Sequence, residues 1–298
     1  MATHSENHYF VPNPALYPFF TSVGLFMLAA GFIFSMNHYA VGNWAMLAGF
    51  ALLIFMIFLW MGKVIVESES GAYKRWEDKS FRWGMIVFIC SEVAFFAAFF
   101  GALFYTRVIS VPDLAGFDPE FTMYKDFTAA WPSLGPGGDV IRSSGALETY
   151  TPNPNFSPMG AWGLPAINTL LLLTSGATIT WAHWGLVKNN RKQLVLGMFL
   201  TVALGIAFLL CQAYEYSHAY SDLGLTLGAG VYGSTFFMLT GFHGFHVTLG
   251  TIMLIVIMLR CMKGHFTPER HFGFEGVAWY WHFVDVVWLG LFVFVYWL

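Results

Sequence analysis

Seven stretches of this chain are each apolar for long enough to cross a lipid bilayer as a helix. They run approximately over residues 16–36, 43–66, 83–107, 160–184, 194–216, 231–259 and 277–297. About 20 apolar residues span a hydrocarbon core roughly 30 Å thick, and in that medium a helix satisfies its own backbone hydrogen bonds. The expected fold class is therefore all-α: a polytopic membrane protein with seven transmembrane helices. Hydrophobic residues make up 57% of the chain and charged residues 10%, with mean hydropathy +0.60, whereas soluble domains carry about 25% charged residues. No connector is long enough to fold alone, so residues 1–298 read as a single membrane domain. The net charge of −3 comes with no basic arm or stripe, which excludes a nucleic-acid partner.

The connectors set the orientation. A tight turn around Asn37 to Gly42 joins the first two segments, and a mixed-sign connector from Glu67 to Arg82 joins the second and third. The loops after segments two, four and six share a side with the N-terminus. They hold Lys63, Lys74, Arg75, Lys79 and Arg82, then Lys188, Arg191 and Lys192, then Arg260, Lys263 and Arg270, which is eleven of the fourteen basic residues. The opposite side has only Arg107, Lys125 and Arg142. By the positive-inside rule the N-terminus is cytoplasmic and the C-terminus lies outside. Met1 to Pro14 has no basic n-region and no cleavage pattern, so the first helix is expected to direct insertion. The outward connector, about Val108 to Met159, is rich in Pro and Gly. Tyr124, Phe127, Trp131 and Phe156 give it aromatic anchors, which favours a loop that packs on something.

One carboxyl stands in the middle of a phenylalanine run. Glu92 lies ten residues past Arg82 within Phe88-Ile89-Cys90-Ser91-Glu92-Val93-Ala94-Phe95-Phe96, hence roughly 15 Å deep at about 1.5 Å per residue. Ionisable groups there face protein or a water-filled cavity and are functional by default. Desolvation disfavours the charged form, so a neutral, hydrogen-bonded Glu92 is expected.

Other polar groups recur at helical spacing. His243 and His246 lie three apart, as do His282 and Asp285, and Glu215 and His218. The glycines beside His243 and His246 suit close helix packing as well as a haem edge, and an intrahelical hydrogen bond accounts for His282 and Asp285. There is no HExxH or other metal-ligand spacing, so no metal site is expected. Cys90, Cys211 and Cys261 lack CxxC spacing and read as small hydrophobes. At the cytoplasmic helix ends, Trp60, Lys63 and Glu67 share one face, and Arg260, Lys263 and His265 cluster likewise. Interfacial cations beside Trp suit either ordinary anchoring or phospholipid head groups.

A set of motifs in order is more specific than any of these. Arg82-Trp83-Gly84-Met85 leads into Ser91-Glu92-Val93; Leu164-Pro165-Ala166-Ile167-Asn168-Thr169 opens segment four, and Thr180-Trp181-Ala182-His183 closes it. Gln212-Ala213-Tyr214-Glu215-Tyr216 ends segment five, and Gly241-Phe242-His243-Gly244-Phe245-His246-Val247 lies in segment six. Last come His271-Phe272-Gly273-Phe274-Glu275 and Trp279-Tyr280-Trp281-His282-Phe283-Val284-Asp285. In this order they resemble subunit III of the haem-copper cytochrome c oxidases, over nearly the whole chain.

The resemblance implies a two-helix group and a five-helix group separated by a V-shaped cleft that holds phospholipid. It implies a non-catalytic chain of a proton-pumping complex that oxidises cytochrome c and reduces oxygen to water. Haem and copper would sit in partner subunits I and II, with subunit I the main contact, and the complex could join a respiratory supercomplex. The subunit's implied roles are to stabilise subunit I, support proton uptake and guide oxygen. By resemblance, Glu92 matches the family's deep glutamate, and Glu67 and Arg260 match its lipid-contacting pair. Trp60, Lys63, Glu67, Arg260 and Lys263 are then the expected phospholipid ligands, and His243, His246, His282 and Asp285 buried polar structure.

The chain departs from relatives in having Met61 after Trp60, Val66 before Glu67 and Trp184 after His183. Its long outward connector favours a bacterial cell membrane over the mitochondrial inner membrane. Quinol-oxidase and nitric-oxide-reductase relatives commonly lack the first two helices, which residues 1–66 supply. An autonomous haem protein using His243, His246 and His282, or a transporter using Glu92, are the rival classes; the latter would show broken helices or an inverted repeat.

Overall fold

The computed structural model describes residues 10, 14–116, 127, 129–135 and 156–298. Seven helices in it are long and apolar enough to cross a membrane. They are α1 (Tyr17–Met36), α2 (Val41–Glu69), α3 (Arg75–Phe104), α4 (Leu164–Val187), α5 (Arg191–Ser221), α6 (Gly230–Lys263) and α7 (Phe272–Leu291). A π-helical turn over Tyr105–Ser110 and a short helix over Val111–Leu114 prolong α3, and a second π-helical turn, Phe292–Trp297, ends α7. No strand occurs among the described residues.

The helices overrun the apolar segments at their polar ends. Most of the mixed-sign Glu67–Arg82 connector is helical. Only residues 70–74 separate α2 from α3. The Glu77 carboxylate supports this early start: it accepts from the Lys74 backbone N–H at 2.9 Å, just ahead of the helix, and from the distant Phe10 N–H at 2.7 Å. The outward connector likewise begins later than expected, after Leu114, and much of it lies outside the described residues.

The chain divides into two units, residues 1–83 and 84–298. In the first, α1 and α2 form an antiparallel hairpin whose backbones touch. Gly24 and Gly31 on α1 face Gly49 and Gly42 on α2. A Cβ added at Gly31 would lie 2.7 Å from Met46 N and 2.8 Å from Gly42 O, and one at Gly49 would lie 2.8 Å from Gly24 O. Two pairs of glycines seven residues apart thus make one smooth stripe on each helix, the means by which helices associate where no hydrophobic effect drives them together. Much of the outer face of the hairpin is exposed and apolar, including Phe26, Phe32, Trp44, Leu47 and Phe58, as a lipid-facing surface must be.

The second unit is built around α7, whose buried tryptophans fill its centre. The Trp281 indole fits against Gly205 of α5 and Gly250 of α6, and its Nε1–H donates to Ser175 Oγ of α4 at 2.8 Å. Trp288 packs edge-on to Phe208, with ring centroids 4.8 Å apart, and donates to Thr169 Oγ1 at 2.9 Å. One helix therefore contacts three others through rings whose polar handles are satisfied, as buried Trp requires. Helix α3 adds its Phe run to this core: Phe95 packs on Phe242, Phe96 on Phe283 and Phe100 on Phe294. Two aromatic anchors of the outward connector do pack. Trp131 meets Tyr232 edge-on and Phe156 stacks on the same ring at 5.5 Å, while Ser133 O accepts from Tyr232 N–H. Tyr124 lies outside the described residues.

Candidate functional site

The deep carboxyl has a partner from another helix. Glu92 Oε2 lies 3.0 Å from His246 Nε2, joining α3 to α6. The other ring nitrogen, Nδ1, lies 2.6 Å from the Phe242 carbonyl four residues back. A carbonyl only accepts, so Nδ1 carries the hydrogen and donates it. Nε2 and the carboxyl then share a single remaining proton between them, and the pair is satisfied whichever atom holds it. Phe96 packs edge-on to the imidazole at 5.0 Å, and Tyr280 donates its hydroxyl to the His246 carbonyl at 3.3 Å. The spacing of His243 and His246 placed both on one helix, but only the fold selected His246 for Glu92.

His243 does something else. Its ring is 1% exposed, sits between Phe208 and Trp288, and donates from Nε2 to the Val284 carbonyl of α7 at 3.1 Å. Both imidazoles thus make packed helix contacts, His246 with α3 and His243 with α7.

His282 and Asp285 depart from expectation, and the His282 side chain is 44% exposed rather than buried. Their nearest atoms, Nδ1 and Oδ2, are 3.6 Å apart, beyond a hydrogen bond. His282 Nε2 instead lies 3.2 Å from Thr180 Oγ1 of α4. That hydroxyl already donates to the Gly176 carbonyl at 2.9 Å, so it accepts from the ring. Asp285 is seated against Gly176, where a methyl group could not fit. Together these residues tie α7 to α4. Glu215 and His218 also go separate ways. Tyr296 donates to Glu215 Oε1 at 2.6 Å, the Asn168 amide approaches the other oxygen at 3.5 Å, and His218 pairs with Asp222 at 2.6 Å. That last hydrogen bond holds the Asp222 carboxyl below its ordinary range.

The interfacial residues of α2 form a contact group in the first unit. Tyr17 stacks on Trp60, Lys63 Nζ lies 5.8 Å over the Tyr17 ring, and the same ammonium is 3.8 Å from Glu67. Tyr73 donates to the other Glu67 oxygen at 2.9 Å; burial, and then this bond, push the phenol up to about 12, so it stays a donor at physiological pH. In the second unit, Arg260 and Lys263 occupy the last turn of α6, ahead of a left-handed Gly264 (φ 82°). The Arg260 guanidinium lies 4.5 Å over the Phe266 ring. Cations on aromatic faces at helix ends are pre-oriented for the interface.

A further cluster was only half visible in local spacing, as His271 and Glu275 lie four residues apart. His183 near the end of α4, His271 at the start of α7 and Glu275 one turn on offer three donor atoms within 4.8 Å of one another. Their separation along the chain hid them; the Thr180-Trp181-Ala182-His183 and His271-Phe272-Gly273-Phe274-Glu275 motifs mark both halves, but nothing in sequence joins them.

Comparison with known proteins decides the family. The family model described as cytochrome c oxidase subunit III matches residues 7–152 and 143–298. The chain belongs to the cytochrome c oxidase subunit III family. Among similar proteins, cytochrome c oxidase subunit 3 of Chondrus crispus is 40% identical over 286 residues, covering 96% of this chain and 92% of its own. The subunits 3 of Dugong dugon and Equus caballus are 38% and 39% identical, each covering 99% of this chain and 98% of their own. The chain is thereby a transmembrane subunit of an oxidoreductase complex of aerobic respiration, and an integral membrane protein.

Proposed function

We propose that this chain is a non-catalytic subunit of a proton-pumping oxidase that oxidises cytochrome c and reduces oxygen to water. In this reading haem and copper belong to subunits I and II, and the chain stabilises subunit I, holds structural phospholipid, supports proton uptake and helps deliver oxygen. The observation that carries it is the family match along essentially the whole chain. The commitment of His243 and His246 to helix contacts speaks for redox centres elsewhere. Trp60, Lys63 and Glu67, and separately Arg260 and Lys263, would each hold a phospholipid head group at the cytoplasmic interface, Glu67 by orienting Lys63. Glu92 serves as a buried membrane carboxyl, with His246, His243, His282 and Asp285 as supporting polar structure.

Gentle purification through a tag on this chain, followed by a reduced-minus-oxidised spectrum, tests the reading. Haem a absorption should arrive with two larger subunits and depart when this chain is separated from them. Haem remaining on the isolated chain would overturn it. The long outward connector favours a bacterial cell membrane, while the similarity to algal and mammalian subunits favours the mitochondrial inner membrane as a second reading. Fractionation of the source cells decides between them.

A further inference from the structure

The cluster of His183, His271 and Glu275 does not take part in any of these roles. It lies in the second unit, where the end of α4 meets the start of α7, on the side rich in Lys and Arg. His271 Nε2 is 3.2 Å from Glu275 Oε1, and His183 Nε2 is 3.8 Å from the same oxygen. A zinc ion bound tetrahedrally at about 2.0–2.1 Å holds its donors about 3.3 Å apart. His271 and Glu275 therefore stand at ligating separation already, and His183 would have to move in toward them to complete the set.

The surroundings orient them. His271 Nδ1 lies 3.1 Å from the Thr267 carbonyl, which only accepts, so Nδ1 carries the hydrogen and Nε2 is turned to the cluster. An Nδ1–H donated to a backbone carbonyl is the outer contact that fixes a metal-binding imidazole. Thr267 is itself held by reciprocal backbone hydrogen bonds with Arg270, at 3.2 and 3.1 Å, which make the α6–α7 connection a firm support. Phe274 packs on the His183 ring, with centroids 5.4 Å apart, and His183 meets His271 edge-on at 5.3 Å. The His183 ring thus has aromatic neighbours in both Phe274 and His271. The His271 and Glu275 side chains are 10% and 14% exposed and that of His183 is 30% exposed, so the donors are sheltered while the site keeps a way in from water.

We infer that His183, His271 and Glu275 form a binding site for a divalent transition-metal ion of the zinc type, entered from the cytoplasmic face. Two imidazoles and one carboxylate are a donor set for zinc rather than for the all-oxygen cations magnesium and calcium. Three protein ligands leave a fourth position to water. The ion would clamp the end of α4 to the start of α7. This inference is independent of the oxidase reading, since it concerns three side chains within one unit.

The test is zinc binding by the purified, chelator-stripped complex, counted by mass spectrometry of bound metal across a zinc titration. Wild-type protein should take up one equivalent that Glu275→Gln and His271→Ala each bind more than 100-fold more weakly, since loss of a supporting contact alone costs about 10–100-fold. Equal uptake and affinity in all three overturns the site and leaves an ordinary histidine–carboxylate ion pair. Should a variant fail to assemble, anomalous scattering at the zinc edge from zinc-equilibrated wild-type complex decides the question. A peak between the three donors supports the site; zinc bound only elsewhere rejects it. Either result leaves the spectrum that tests the oxidase reading unchanged.

Discussion

At the scale of single residues, the pairing of Glu92 with His246 explains how a carboxyl is tolerated in a phenylalanine-lined helix. His246 has one ring nitrogen committed as donor to Phe242, so its other nitrogen needs a partner that can share a proton. Glu92→Gln keeps that ability, because the amide can donate to Nε2, and assembly of the complex should be close to wild type. Glu92→Ala leaves a buried nitrogen unpaired, a loss of about 1–3 kcal/mol, and should lower the temperature at which the chain dissociates from the complex. A Gln variant that fails to assemble would show that charge, rather than the hydrogen bond, is required. Trp281→Ala should be costlier, about 3–5 kcal/mol, because the indole fills the space left by Gly205 and Gly250 and also caps Ser175. The place of Glu92 within a long apolar helix was legible in the sequence. Its partner was not, since His243 and His246 are equivalent by spacing and differ only in which neighbour each ring meets.

Between elements, the chain uses two different ways of joining helices. The α1–α2 hairpin relies on backbone contact through Gly24, Gly31, Gly42 and Gly49, so Gly31→Leu should separate it. Overpacking costs about 1–3 kcal/mol even where side chains can yield, and here the obstruction is backbone. The amount of chain accumulating in membranes should fall, whereas Gly62→Leu, at a glycine with open space, should leave it unchanged. The five later helices rely instead on large rings and side-chain hydrogen bonds centred on α7. At the helix ends, Arg260→Ala should reduce phospholipid retained by the purified complex, and unchanged lipid content would count against Arg260 as a head-group ligand. The seven-residue glycine spacing was open to reading in the sequence. The early start of α3 at Arg75 was obscured because charged residues such as Glu77 and Asp78 look like a loop, although acidic groups suit the first turn of a helix.

For the whole molecule, the basic residues give a testable orientation. A reporter active only outside the cytoplasm should work when fused after Leu298 and fail when fused within the Lys188–Lys192 turn; the reverse would invert the topology. The sequence by itself determined the class of solvent and the number of crossings, because these depend on local runs of apolar residues. It also carried the family resemblance, in motifs read in order. Only the tertiary structure decided which polar groups meet: Glu92 with His246, His282 with Thr180, Glu215 with Tyr296, and His183 with His271 and Glu275. The physical reason is that a spacing of three or four residues places side chains on one face of a helix but leaves that helix free to turn the face toward any neighbour. In lipid the hydrophobic effect does not choose between those neighbours. Packing of glycine stripes, tryptophans and buried hydrogen bonds makes the choice, and those interactions lie between residues far apart in the chain.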